Sequence, residues 1–144
     1  MKEVGPRLEE ADVAALEQLV GNALPPSYKR FLLDYNGGRP SAWCTVPISA
    51  EGQSPDQDIQ FFFGIGQGEE DLRLQLKNMR DDYGRDDLFP IGITSGGKLY
   101  AILVTAIDGP IYLLDPWDPS SPVPVAQSFD DFLARVYKPD WWDE

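Results

Sequence analysis

Paired carboxylates are the side chains of this sequence whose spacing could support chemistry. Asp56 with Asp58, and Asp115 with Asp118, each place two carboxylates close together along the chain. Such a pair could bind Mg²⁺ or Ca²⁺ through its oxygens, or act as an acid and a base. Neither pair has the spacing of a calcium loop, and aspartates beside Pro, Ser and Gly usually form turns. We therefore expect turns, rather than metal or catalytic sites, at both places.

The composition limits other reaction chemistry. The 144 residues include no histidine and a single cysteine, Cys44. This removes Ser-His-Asp and Cys-His catalysis, imidazole-bound zinc, thiolate metal clusters and an intramolecular disulfide. Cys44 is expected to be a small, partly buried apolar residue rather than a reactive thiol. The sequence therefore predicts a protein that is not an enzyme and uses no cofactor.

Two glycine-containing segments approach nucleotide-binding motifs. Segment 64–68 lies between a predicted strand and a predicted helix, but Glu69 stands where the third glycine of a dinucleotide-binding turn belongs. The acidic run 69–71 would also repel a pyrophosphate. Segment 92–99 has phosphate-loop spacing as far as its lysine, but Leu99 replaces the required Ser or Thr. We predict a strand-to-helix turn and a hairpin turn, respectively.

The net charge is the main global signal. The chain has 24 acidic and 12 basic residues, a net charge of −12. Because binding to phosphates requires clustered Lys and Arg, nucleic acid is not expected to be a direct partner. A basic macromolecule fits better, although the same acidity could serve only solubility. The N-terminal residues show no signal-peptide pattern, and no run of about 18 apolar residues occurs, so we expect neither Sec-type export nor a membrane span.

The four tryptophans are candidates for binding a partner, because Trp and Tyr dominate binding hot spots. Two interpretations stay open. Trp43 and Trp117 could pack in the core near strand ends, with the terminal pair folded onto the domain as a clasp, or all four could lie on a binding surface. On the second interpretation, the candidate partner-binding residues are Trp43, Asp115, Trp117, Asp118, Trp141, Trp142, Asp143 and Glu144.

Hydrophobic periodicity and turn residues predict an α+β fold. Helical periodicity predicts helices over 7–20, 25–35, 69–83 and from 128 onward. Apolar, β-branched runs predict strands over 43–48, 59–65, 88–94, 99–106 and 111–115. The last three are expected to form an antiparallel meander, whereas 51–57 and the Pro- and Ser-rich 117–124 are expected to be loops. This order does not alternate as parallel βαβ units would. We predict a single α+β domain, mainly an antiparallel sheet with two N-terminal helices, one middle helix and one C-terminal helix.

The segment 24–40, LPPSYKRFLLDYNGGRP, resembles the signature of the SUKH superfamily, in particular its yeast cell-wall-regulator-like (Smi/Knr) branch. That branch opens with an LP-x-x-Y-x-x-F-L pattern followed by NGG. Later blocks of the branch are matched in order at 62–64, 89–92, 109–115 and 128–133. The resemblance covers 8–137 and leaves the acidic, aromatic C-terminal tail 138–144 outside.

This resemblance implies an α+β domain over 8–137 and, for small bacterial members, an immunity protein. Such a protein binds and neutralises a toxin of a polymorphic or contact-dependent system, while eukaryotic relatives are regulatory or adaptor modules. No catalytic motif comes with the resemblance. Phe31 and Phe132 are then expected in the core, and Gly37 and Gly38 as helix caps.

These observations predict a cytoplasmic immunity protein that occludes a cognate toxin, a basic one such as a nuclease, with no direct contact to nucleic acid or membrane. Two alternatives stay open. One is a regulatory or scaffold module for a housekeeping partner. The other is a carboxylate-dependent enzyme that uses Asp115 and Asp118 with a divalent ion.

Overall fold

A computed structural model describes residues 1–41, 44–48, 56–66 and 68–137, and all structural statements concern these ranges. They form one α+β domain, which confirms the predicted fold class. The helices are α1 (Glu10–Val20), α2 (Pro26–Asp34), α3 (Leu72–Asp81) and α4 (Phe129–Arg135). The strands are β1 (Thr45–Val46), β2 (Gln57–Asp58), β3 (Phe61–Phe62), β4 (Leu88–Ile93), β5 (Leu99–Leu103), β6 (Ile111–Asp115) and β7 (Asp118–Ala126).

The main sheet has five antiparallel strands in the order β3-β4-β5-β6-β7. Its central strands pair as the predicted meander, with Leu88 opposite Leu103 and Leu99 opposite Leu114. β4 and β5 are buried along nearly their whole length, so both of their faces are covered. β1 and β2 form a separate two-stranded sheet, and Gln57, predicted in a loop, belongs to β2.

The prediction of a loop over 117–124 is wrong, because strand β7 occupies 118–126. β7 pairs with β6, with Leu113 opposite Val123. Its prolines are tolerated because β7 is the outer strand, where a missing N–H need not break the hydrogen-bond ladder on both sides. The register shifts between Leu113 and Asp115, so residues 119–122 bulge opposite Leu114 alone.

The Asn-Gly-Gly segment after α2 has a different role from the predicted helix cap. α2 ends at Asp34, and Tyr35 is already extended, with φ −140°. Gly37 has φ +72°, and a Cβ on it would lie 2.8 Å from the backbone nitrogen of Gly64. Gly38 exchanges backbone hydrogen bonds with Phe62 of β3, at 3.1 and 2.7 Å. These glycines therefore allow the chain to approach the backbone of the sheet edge.

Asn36 joins three segments at this place. It is 2% exposed, and its side-chain amide donates to the carbonyls of Pro6 and Ile65, each at 2.8 Å. Its Oδ1 accepts from the Ile65 N–H at 2.7 Å. The N-terminal segment, the end of α2 and the turn after β3 are therefore fixed to one another.

Aromatic rings form much of the core between α2, α4 and the sheet. Tyr28 and Phe129 pack edge to face with centroids 5.1 Å apart, and Tyr100 contacts Phe132 at 5.1 Å. Phe132 is buried as expected, whereas Phe31 is half-buried at the margin of the cluster.

Two leucines on the predicted helices are exposed, namely Leu19 at 51% and Leu133 at 38%. α1 packs through Val13, Leu16 and Val20 instead. The seven-residue α4 buries a narrow stripe containing Phe129 and Phe132. The flanks that carry Leu19 and Leu133 therefore remain open.

Candidate functional site

The turn between β6 and β7 carries the most exposed aromatic residue of the described chain. Trp117 is 95% exposed, and the ring contacts found among the described residues do not include it. The core-packing interpretation of Trp117 is therefore wrong. Asp115 is half-buried and Asp118 is exposed, so the structure brings these three predicted residues together. We call residues 115–118 the Trp117 turn.

Hydrogen bonds from the two aspartates hold the Trp117 turn in shape. Asp115 Oδ1 accepts from the Trp117 backbone N–H at 2.9 Å, as in an Asx turn. Asp118 Oδ1 accepts from Ser120 Oγ at 3.0 Å. The indole is therefore presented on an ordered turn, which lowers the entropy cost of placing it against a partner.

A neighbouring ion pair fixes the bulge of β7. Arg85 makes two hydrogen bonds to Asp87, at 3.0 and 2.9 Å, and a third to the carbonyl of Pro119 at 3.1 Å. The guanidinium lowers the pKa of Asp87, and Asp87 raises the pKa of Arg85. Sequence reasoning did not identify this contact, because it depends on the unpredicted strand β7.

Strand order places several other segments at the same end of the sheet. Successive turns of a meander alternate between the two ends, so the β4–β5 turn and the Trp117 turn share one end. The β5–β6 loop, with Ile107 99% exposed, lies at the opposite end. Nothing in the periodicity of the sequence indicated that Ile107 would be exposed.

The predicted pair Asp56 and Asp58 has structural roles near this end. Asp58 is buried, and its Oδ1 accepts from the Ser95 N–H of the β4–β5 turn at 3.0 Å. Its carbonyl accepts from the Tyr100 hydroxyl at 2.8 Å, and burial raises the pKa of Tyr100. Asp56 accepts a hydrogen bond from the hydroxyl of Tyr137.

The remaining predicted binding residues lie outside the described residues. They are Trp43, Trp141, Trp142, Asp143 and Glu144. Tyr137, from which the tail continues, pairs through its backbone with Thr45, at 2.7 and 2.9 Å. Thr45 in turn lies opposite Asp58. Tyr137, the last described residue, is therefore linked through Thr45 and Asp58 to the end of the sheet that carries the Trp117 turn.

The described residues of the two nucleotide-like segments include the predicted turns. Segment 94–98 is the β4–β5 hairpin turn, in which the Thr94 N–H donates to the Lys98 carbonyl at 2.8 Å. Before α3, Asp71 Oδ2 accepts from the Gly66 N–H and Oδ1 from the Arg73 N–H, both at 2.8 Å. Hydrogen bonding to the Arg73 guanidinium is the main cause that lowers the pKa of Asp71 to about 2. A carboxylate therefore occupies the helix start where a phosphate would bind in a nucleotide site.

Other site chemistry is sparse within the described part of the chain. Among those residues, no group of three or more Asp, Glu, Cys or His side chains could hold a metal ion. Cys44 is half-buried, as expected, and burial raises the pKa of its thiol. No helix of the described ranges has both the length and the apolar character needed to cross a membrane.

The described residues form a small α+β domain in which helices flank an antiparallel meander and an ordered aromatic turn lies at one end of the sheet. The profile of the SMI1 / KNR4 family (SUKH-1) matches residues 7–135, and the chain belongs to this family. The family is known for immunity proteins, and its domains are typically non-catalytic binding domains. A search of curated proteins returned no match.

Proposed function

We propose that this protein is a cytoplasmic immunity protein that binds a cognate toxin of a polymorphic or contact-dependent system and neutralises it by occlusion. Family membership supports the class of function. The observation that carries the proposal for this chain is Trp117, which is 95% exposed on an ordered turn between two aspartates. The protein acts by occupying a surface of the toxin, without making or breaking bonds.

A partner that covers Trp117 removes a large, mainly apolar side chain from water. A tryptophan side chain buries about 150 to 250 Å² in a core or interface. At about 25 cal/mol per Å², covering it contributes roughly 4 to 6 kcal/mol before the costs of association are subtracted. After those costs, truncation of a hot-spot residue to alanine typically lowers the binding free energy by about 2 kcal/mol or more. Trp117 therefore suits the centre of an interface.

The charge of the chain supports a basic partner. A net charge of −12 attracts a positively charged protein such as a nuclease and accelerates association. The same charge repels the nucleic acid that such a toxin would act on. Association should slow as salt rises, because the screening length falls from about 30 Å at 0.01 M to about 8 Å at 0.15 M.

Co-expression with the toxin-like protein encoded beside this gene tests the proposal. We expect growth rescue and a stoichiometric complex that co-purifies. Trp117→Ala is expected to weaken the complex by roughly thirtyfold, measured by calorimetry or interferometry. Ile107→Ala is the matched control, because Ile107 is equally exposed but lies at the opposite end of the sheet.

Two results would contradict the proposal. If the neighbouring toxin is neither bound nor neutralised, the protein is not its immunity protein. If the complex forms but Trp117→Ala and Ile107→Ala have equal effects, the Trp117 turn is not the interface.

A further inference from the structure

The two aspartates of the Trp117 turn face each other across the β6–β7 pair. Asp115 and Asp118 are register partners, so their Cβ atoms lie about 4.5 to 5.5 Å apart. Like charges directly opposite each other destabilise a strand pair. None of the ion pairs found among the described residues includes either aspartate. The pair is therefore an uncompensated double negative charge at an exposed end of the sheet.

The cation that lies near this pair is already engaged. Arg85 reaches the carbonyl of Pro119, the residue after Asp118, but its guanidinium is paired with Asp87 at 2.9 Å. Arg85 therefore lies close to the turn, but its charge is already paired with Asp87. A cation for the two aspartates must come from outside these residues.

The turn offers a cation two kinds of contact at once. Asp115 Oδ1 and Asp118 Oδ1 accept bonds that hold the turn, at 2.9 and 3.0 Å. Among the described residues, the hydrogen bonds of these two carboxylates use Oδ1 alone, so Oδ2 of each can accept from an incoming donor. Trp117, which lies between the two aspartates in sequence, exposes the π face of its indole, and such a face attracts cations within about 6 Å of its centroid.

We infer that the Trp117 turn is a receptor for an arginine side chain of the protein partner, with the guanidinium against the indole of Trp117 and its N–H groups on Asp115 and Asp118. Arginine fits better than lysine because its planar fork donates to carboxylates in pairs, stacks on aromatic rings and is more weakly hydrated. This inference rests on the proposed function for its partner, a basic toxin, and specifies the chemistry that recognises it.

An NMR titration with defined peptides tests the receptor without the toxin. The Trp117 indole N–H signal is identified as the one that disappears in Trp117→Phe. We expect acetyl-Gly-Arg-Gly-amide to shift this signal saturably in the millimolar range, and acetyl-Gly-Lys-Gly-amide, which has the same charge, to need several-fold higher concentration. In the double variant Asp115→Asn and Asp118→Asn, the arginine peptide should need about tenfold more.

Stability measurements show whether the variant is intact. Asn retains the Oδ1 acceptor of each turn bond and removes the repulsion, so the melting temperature of the double variant should equal or exceed that of the parent. An equal response to the two peptides, a response that does not saturate, or an unchanged response in the double variant would overturn the inference.

The toxin complex separates this inference from the proposed function. If the toxin binds and the double variant and Trp117→Ala each weaken it at least about tenfold, the arginine receptor is the contact used. If the toxin binds the double variant as tightly as the parent, the receptor is wrong while the immunity function stands. If no toxin binds but the arginine peptide does so selectively, the receptor stands and the immunity function is wrong.

Discussion

Replacement of the buried Asn36 by alanine should lower the free energy of unfolding substantially. The side chain makes three hydrogen bonds, two from its amide at 2.8 Å and one to its Oδ1 at 2.7 Å, and it is 2% exposed. Its removal leaves the Ile65 N–H and the carbonyls of Ile65 and Pro6 without these partners. At about 1 kcal/mol of net stability for each bond, the loss is roughly 3 kcal/mol.

Thermal and urea unfolding measure this loss directly. For a chain of this size, 3 kcal/mol corresponds to a fall in melting temperature of roughly 6 to 12 °C. Asn22→Ala is the matched control, because Asn22 is exposed in the turn after α1 and should change stability by less than about 0.5 kcal/mol. Equal stabilities for Asn36→Ala and Asn22→Ala would refute the idea that Asn36 holds the three segments together.

Two further predictions concern groups with unusual surroundings. Because Arg73 lowers the pKa of Asp71 from 3.8 to about 2, the ionised carboxylate stabilises the fold above pH 4, and this stabilisation disappears as the pH falls towards 2. With Arg73 half-exposed, Asp71→Asn should cost about 1 to 2 kcal/mol at pH 7 in urea unfolding; a cost independent of pH would contradict the assignment. The Tyr28 hydroxyl is buried without a hydrogen-bond partner among the described residues, so Tyr28→Phe should leave the melting temperature unchanged or raise it. A fall of several degrees would mean that the hydroxyl has a favourable partner.

The strands β4 to β6 could be predicted because the sequence pattern that indicates each strand lies within the strand and the turns beside it. Leu88–Ile93, Leu99–Leu103 and Ile111–Asp115 are apolar runs separated by glycine turns. β7 could not, because Pro119, Pro122 and Pro124 are typical of a loop when the chain is considered alone. Its strand conformation depends on pairing with β6, which provides β7 with ladder hydrogen bonds on one side only.

Long-range contacts explain the other differences. The glycines of the Asn-Gly-Gly segment were recognised as special, but their partner is the backbone around Gly64, which a local pattern does not identify. The candidate site was predicted in part, because Asp115, Trp117 and Asp118 lie within four consecutive residues and must be close in space. The exposure of Trp117 could not be predicted, because a tryptophan beside a strand end packs inward as readily as outward.

The outer edge of β7 also determines how one copy of the molecule behaves towards another. Three of its nine residues are prolines, which have no N–H to offer a further strand. Edge-to-edge pairing of two copies through β7 is therefore disfavoured. A strand of a second copy therefore finds few donors along this edge, and a partner protein has to engage the molecule elsewhere, as at the Trp117 turn.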